Sequence, residues 1–199
     1  MNSRTPHPKF LIVCEGQTER LYLRSFEVYN VNLKILEENA SPLERVKEAI
    51  RLKEEGDYGQ VWCVFDFDVD HSNPAQGQMF NQAMAAARQN GVKCAYSNDS
   101  FELWFILHYN FTDQELTRNE YYLRLGRLWD MNYIEEGKKR SFSAGIYKKL
   151  QAEPGASQEE AIARAKRLYD DQSGKECHLQ NPVTTVFQLV ELLNAHLRK

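Results

Sequence analysis

Long apolar runs are missing from this sequence. No window approaches the run of about 20 apolar residues that crosses a bilayer, and the opening MNSRTPHPKF lacks the apolar core of a secretory signal. The expectation is a soluble, cytoplasmic protein with no membrane partner. Cysteine is also scarce: Cys14, Cys63, Cys94 and Cys177 form no C-x-x-C pair, and the first three sit in apolar runs, which reads as small apolar filling. Neither sign of charge dominates, since 25 basic and 28 acidic residues give a net charge of -3, a total that does not advertise nucleic-acid binding. With 42% apolar residues in 199, disorder is excluded as the main state and a real core can form. Repeats and low-complexity tracts are absent.

Alternation of strand and helix signals fills the first part of the chain. Lys9 to Cys14 (KFLIVC) reads as a strand, followed by a turn at Glu15-Gly16 and a helical period through Leu21, Leu23, Phe26 and Tyr29. Val31 to Leu36 reads as a second strand. Ser41 and Pro42 open a helix that runs to about Glu55 and stops at Gly56. Gln60 to Phe65 (QVWCVF) is almost continuously apolar, as suits a central parallel strand. An alanine-rich helix at 79–89 and a strand at 92–96 follow. This order predicts an α/β fold, a Rossmannoid parallel sheet flanked by helices. From Phe101 onward only helices are expected, at 101–109, 113–128, 143–150, 157–172 and 182–197. The division expected is residues 1–108 as the α/β domain and 109–199 as a C-terminal helical subdomain, and the residues leave open whether those helices grip substrate, dock a partner or form a homodimer.

Ligands of parallel α/β sheets sit at the carboxyl ends of the strands, and the carboxylates of this chain crowd there. Glu15 ends the first strand, with Glu19 one helical turn later. Asp66 and Asp68 end the third strand, where a spacing of two sends both side chains to one side. Asp70 continues that alternation, and Ser100 and Glu102 follow the fourth strand. Such a cluster repels itself unless a cation neutralises it. Oxygen donors without supporting histidines favour Mg²⁺ or Mn²⁺, and two such ions form a phosphodiester-cleaving centre. Taken singly, Glu19 reads as a first-turn residue that complements the helix dipole, Asp70 as a loop residue and His108 as a core histidine. Lys138, Lys139, Arg140 and Lys148 could contact phosphates, or form a solvated face.

Three strings together, Phe10 to Glu19 (FLIVCEGQTE), Val64 to His71 (VFDFDVDH) and Ser97 to His108 (SNDSFELWFILH), with a late Asn181-Pro182-x-Thr184-Thr185-Val186, resemble the RloB family over nearly the whole chain. RloB proteins are similar to the Toprim catalytic fold of topoisomerases, primases and overcoming-lysogenization-defect (OLD) nucleases. The resemblance implies that Glu15 is a metal ligand and general acid or base, and that Asp66 and Asp68 are the metal-binding D-x-D. Glu19 and Ser100-x-Glu102 match further motifs of the OLD-type nucleases, which also use a downstream lysine; Lys138, Lys139 and Lys148 are candidates among which spacing does not choose.

What the resemblance implies as function is a Mg²⁺- or Mn²⁺-dependent nuclease with two ions, acting on DNA or RNA. It would be the effector of an anti-phage, abortive-infection or restriction-linked system, with an ABC- or AAA-type ATPase as partner. Two rivals stand beside it. One is a Toprim-like module that binds nucleic acid or the ATPase without turnover. The other is a haloacid-dehalogenase-type phosphatase with Asp66 as nucleophile, which Val69-Asp70 fits poorly.

Overall fold

The computed structural model describes residues 7–67 and 73–197. Four parallel strands form its centre: β1 (Lys9–Cys14), β2 (Asn32–Glu37), β3 (Gln60–Asp66) and β4 (Lys93–Asn98). They lie in the order β2-β1-β3-β4, with Phe10 opposite Leu33 on one side and Gln60 on the other. The crossovers run through helices α1 (Gln17–Arg24), α2 (Pro42–Glu55) and α3 (Pro74–Gln89). The α/β class and the flanked parallel sheet expected from the sequence are observed.

Strand periodicity divides the core in two. Ile12, Cys14, Trp62, Val64 and Ala95 point to one face and Leu11, Val13, Val61, Cys63 and Phe65 to the other. Helices α2 and α3 cover the second face through Val46, Ala49, Phe80, Ala83 and Ala87. Helix α1 lies on the first face through Tyr22 and Leu23. Joining it there are α4 (Glu102–Leu107), α5 (Arg118–Leu128), α6 (Tyr133–Glu136), α7 (Arg140–Ser143), α8 (Ile146–Ala152), α9 (Gln158–Asp171) and α10 (Val186–Asn194). Helix α4 is buried along its whole length. Among the described residues no helix is long and apolar enough to cross a membrane.

Several boundaries differ from expectation. Helix α3 starts at Pro74 rather than 79, because proline fits the first turn and its missing N–H costs nothing there. The expected 143–150 helix is broken at Gly145 into α7 and α8. The chain expected as helix from 182 first forms a fifth strand, β5 (Val183–Thr184), antiparallel to β4 with Ser97 opposite Thr184. Two residues are too few for a periodic signal, and only pairing with β4 makes them a strand. The part of the chain after residue 108 therefore completes the sheet as well as covering it.

That return is fastened by polar groups inside the core. Ser97 Oγ and Thr184 Oγ1 are 2.9 Å apart, Tyr96 N–H donates to Thr185 Oγ1 at 2.9 Å, and Thr185 N–H donates to Tyr96 O at 2.8 Å. Thr185→Val keeps the shape but strips the Tyr96 N–H of its acceptor, for which an unsatisfied buried donor costs about 1–3 kcal/mol. Urea unfolding should show a lower midpoint with an unchanged slope.

Candidate functional site

Strand order creates a gap at one place. After β1 the chain turns to β2 on one side, and β3 then pairs on the other side of β1, so α1 and α3 leave the sheet on opposite faces. This is the topological switch point, where loops diverge and parallel α/β proteins place ligands. Glu15 and Asp66 end the two strands that flank it. They are joined directly, since Asp66 N–H donates to Glu15 Oε2 at 3.2 Å, and Glu15 N–H donates to Val64 O at 2.9 Å.

Glu19 and Glu102 come to the same place from α1 and α4. Glu19 is 6% exposed and Glu102 is fully buried. A β-carbon at position 16 would lie 3.0 Å from Glu19 Oε2, so Gly16 is what lets the carboxylate fold back over its own turn. Burial pushes the Glu19 carboxyl up to about 7, and the charges of Glu102 and Glu15 push the same way. Burial also raises Asp66 well above the ordinary carboxylate range, with Glu19 and Glu102 adding to it and Arg118 opposing. Four acidic groups from three strand ends thus feel one another, with Glu19, Asp66 and Glu102 shielded from water and Glu15 partly exposed.

Three cations offset them. Lys138 Nζ donates to Glu102 Oε1 at 2.6 Å, Tyr133 O–H donates to the same oxygen at 2.9 Å, and Ser100 Oγ–H donates to Oε2. Burial opposes the Glu102 charge, yet these partners hold its carboxyl below the ordinary value. Glu102 in turn keeps Lys138 above its ordinary value, against the opposing effect of burial. Gln17 Nε2–H donates to Lys138 O at 3.1 Å, which ties that loop to the start of α1. Arg118, the first residue of α5, has Nη2 3.4 Å from Asp66 Oδ2, and its N–H donates to Asp99 Oδ2 at 2.6 Å. Arg45 of α2 has no exposed surface; its Nη1 lies 3.5 Å from Glu15 Oε2 while its other nitrogens donate to Glu38 O and Ala40 O.

Of the residues singled out by sequence, Glu15, Glu19, Asp66, Glu102 and Lys138 are brought together. Asp68, Asp70 and His71 lie outside the described residues. Lys139 instead pairs with Glu136, and Arg140 and Lys148 are exposed on α7 and α8. His108 is buried, with Nδ1 2.9 Å from Trp104 O. Arg45 and Arg118 escaped the sequence reading. Arg45 carried a signal, because it shares the apolar stripe of α2 with Ala49 and Leu52 at spacings of four and three, where a solvated charge does not belong. Nothing in the sequence marks Arg118.

One oxygen is left over. Asp66 Oδ1 is buried and has no hydrogen-bond partner among the described residues. No three His, Cys, Asp or Glu side chains among the described residues are grouped so as to hold a metal on their own. A family model described as RloB-like protein matches residues 10–193. No curated protein and no solved structure matches the chain.

The elevated Glu19 carboxyl has a consequence for stability. Between its ordinary value of 4.5 and about 7 the folded state holds more protons than the unfolded state, so stability is lost as pH rises through that window. The shift sets a ceiling of roughly 3 kcal/mol at pH 8. His108, held down to about 4 by burial, runs oppositely, but it is common to both proteins in a comparison with Glu19→Gln. In chelator, Glu19→Gln should melt above the wild type at pH 8, and the gap should narrow toward pH 5. A wild type as stable as the variant at pH 8 would overturn the burial argument.

Proposed function

The chain belongs to the RloB-like protein family, and we propose that it is a Mg²⁺- or Mn²⁺-dependent nuclease. The reading is carried by the leftover Asp66 Oδ1, a buried carboxyl oxygen without a hydrogen-bond partner among the described residues, at the switch point of the sheet and amid Glu15, Glu19 and Glu102, where burial and like charge oppose ionisation and a cation would favour it. Such an all-oxygen set suits a hard divalent cation. Glu15, Glu19 and Asp66, which are not grouped to hold it on their own, would do so together with Asp68 and Asp70 from the segment that follows. Bound there, a pair of these ions would supply charge neutralisation at a phosphate and a more acidic water.

The chain's own groups have separable tasks in this reading. Glu15 or Glu19 would take up and return a proton through an oxygen that the cation leaves unengaged. Glu102 is kept charged and fixed by three partners, and so anchors Lys138 at the rim of the site. Lys138 and Arg118 are the cations placed to meet a phosphate, with Lys139 and Arg140 extending the positive path along the chain. As substrate we propose DNA or RNA, as setting an anti-phage, abortive-infection or restriction-linked system, and as partner an ABC- or AAA-type ATPase encoded nearby.

A second reading draws on the same cluster. Arg45, Arg118 and Lys138 already pair with Glu15, Asp66 and Glu102 inside the chain. A module that binds nucleic acid or the ATPase without turnover could hold its carboxylates this way and need no metal.

Cleavage of plasmid, linear DNA and tRNA with Mg²⁺ or Mn²⁺, alone and with the ATPase, separates the two. Asp66→Asn and Glu15→Ala should each lower the rate by about 100-fold or more, the scale on which single catalytic groups act. Nucleic-acid binding without cleavage by the wild type under all these conditions would favour the module.

A further inference from the structure

The acidic site is flanked unequally on the two faces of the sheet. On the face of α5 and the Lys138 loop it meets Arg118 and Lys138. On the face of α2 and α3 it opens into a cleft of about 440 Å³, of which Glu15 and Asp66 form one wall. Its other described lining includes the apolar Pro42, Leu43, Phe67 and Met79 together with the amide-bearing Asn73 and Gln76. Among the described residues that line it there is no lysine or arginine. Met79 is 49% exposed, one of the few large apolar side chains that the fold leaves in water.

We propose that this cleft receives one unpaired nucleobase of the strand whose phosphate lies at the acidic site. The proposal rests on the nuclease reading for the position of that phosphate. Away from the carboxylate wall that would carry the metal, the described lining of the cleft offers a phosphate no lysine or arginine. The helix start that borders it is also satisfied already, because Ser41 and Glu44 form a capping box there, with Glu44 Oε2 accepting from Ser41 N–H at 3.1 Å. A neutral, flat heterocycle has what the cleft asks for: an apolar face for Met79 and Phe67, and a polar edge for Asn73 and Gln76. The volume falls within the range of small-ligand pockets. Since the cleft adjoins Glu15 and Asp66, base and phosphate can belong to one nucleotide or to neighbours. A base held in a duplex cannot enter without leaving the stack, so the geometry selects single strands, ends or loops.

The probes are fluorescein-labelled 12-mers of DNA and of RNA, single-stranded, duplex, and with one abasic position moved along the strand. Binding is measured by anisotropy with Mg²⁺ and the Asp66→Asn protein, which keeps the cleft while holding off cleavage. Single strands should bind at least tenfold more tightly than duplex, and one abasic position should cost about tenfold, in keeping with the loss of one stacked base. Met79→Ala and Gln76→Ala should each weaken binding to the intact strand and flatten the abasic profile, while Met79→Leu retains both. Equal binding of all abasic strands, or of duplex and single strand, overturns the cleft assignment and leaves the nuclease reading standing. Absence of binding to every probe, together with absence of cleavage by the wild type, overturns both.

Discussion

Negative charge held out of water is the constraint on which this structure turns. Glu102 is wholly buried on a helix that is itself buried, and burial, with the Glu102 charge adding to it, makes Asp66 and Glu19 resist ionising. An uncompensated carboxylate there would cost several kcal/mol. The compensation comes from distant parts of the chain: Lys138 from the loop before α7, Arg118 from α5 and Arg45 from α2. The electrostatics of the site thereby require the later helices to close on the sheet. Such buried pairs add little net stability compared with apolar packing, but they specify one arrangement, since losing any single partner strands the other.

Topology explains why the charges converge where they do. Reversal of strand order between β1 and β3 sends α1 and α3 to opposite faces, and Glu15 and Asp66 lie at the space left between their starts. Gly16 then admits Glu19 to the same space from one turn away. On the far side β5 closes the sheet against β4, and α10 follows directly from it into the core that backs α4. The support for Glu102 thus depends on the last part of the chain as well as on the first.

Much of this was legible in the sequence, for identifiable reasons. Alternation, continuous apolar runs and proline or serine at helix starts are local signals, and they point to four parallel strands joined by helices, though not to the order β2-β1-β3-β4 in which the strands lie. Carboxylates at strand ends needed only the rule for parallel sheets to be placed together. What stayed hidden was long-range. Lys138 could not be told from Lys139 or Lys148 because the choice is made by Glu102 and Gln17, 36 and 121 residues away. Arg118 looks like any charged residue at a helix start, and its partner Asp66 is 52 residues distant. β5 exists only as a partner of β4. The cysteines were also read from local pattern: Cys14 and Cys63 are buried among apolar neighbours, and Cys94 and Cys177 are packed against them.

The mild acidity of the chain acquires a different sense once its placement is known. A net charge of -3 spread over a surface would repel a polyanion weakly everywhere. Here four carboxylates are drawn into one site and three of them are met by cations, so the charge seen from outside is set by what lies at the rim. Arg118 is about one-third exposed and Lys138 nearly half, whereas Arg45 has no exposed surface. The two rim cations thus reach both a carboxylate and solvent, whereas Arg45 reaches only the interior. Two divalent ions at these oxygens would add four positive charges and compete with both rim cations for the same carboxylates. The acidic cluster thus does more than concentrate negative charge: by pairing with Lys138 and Arg118 it fixes two partly exposed positive side chains at the rim of the site.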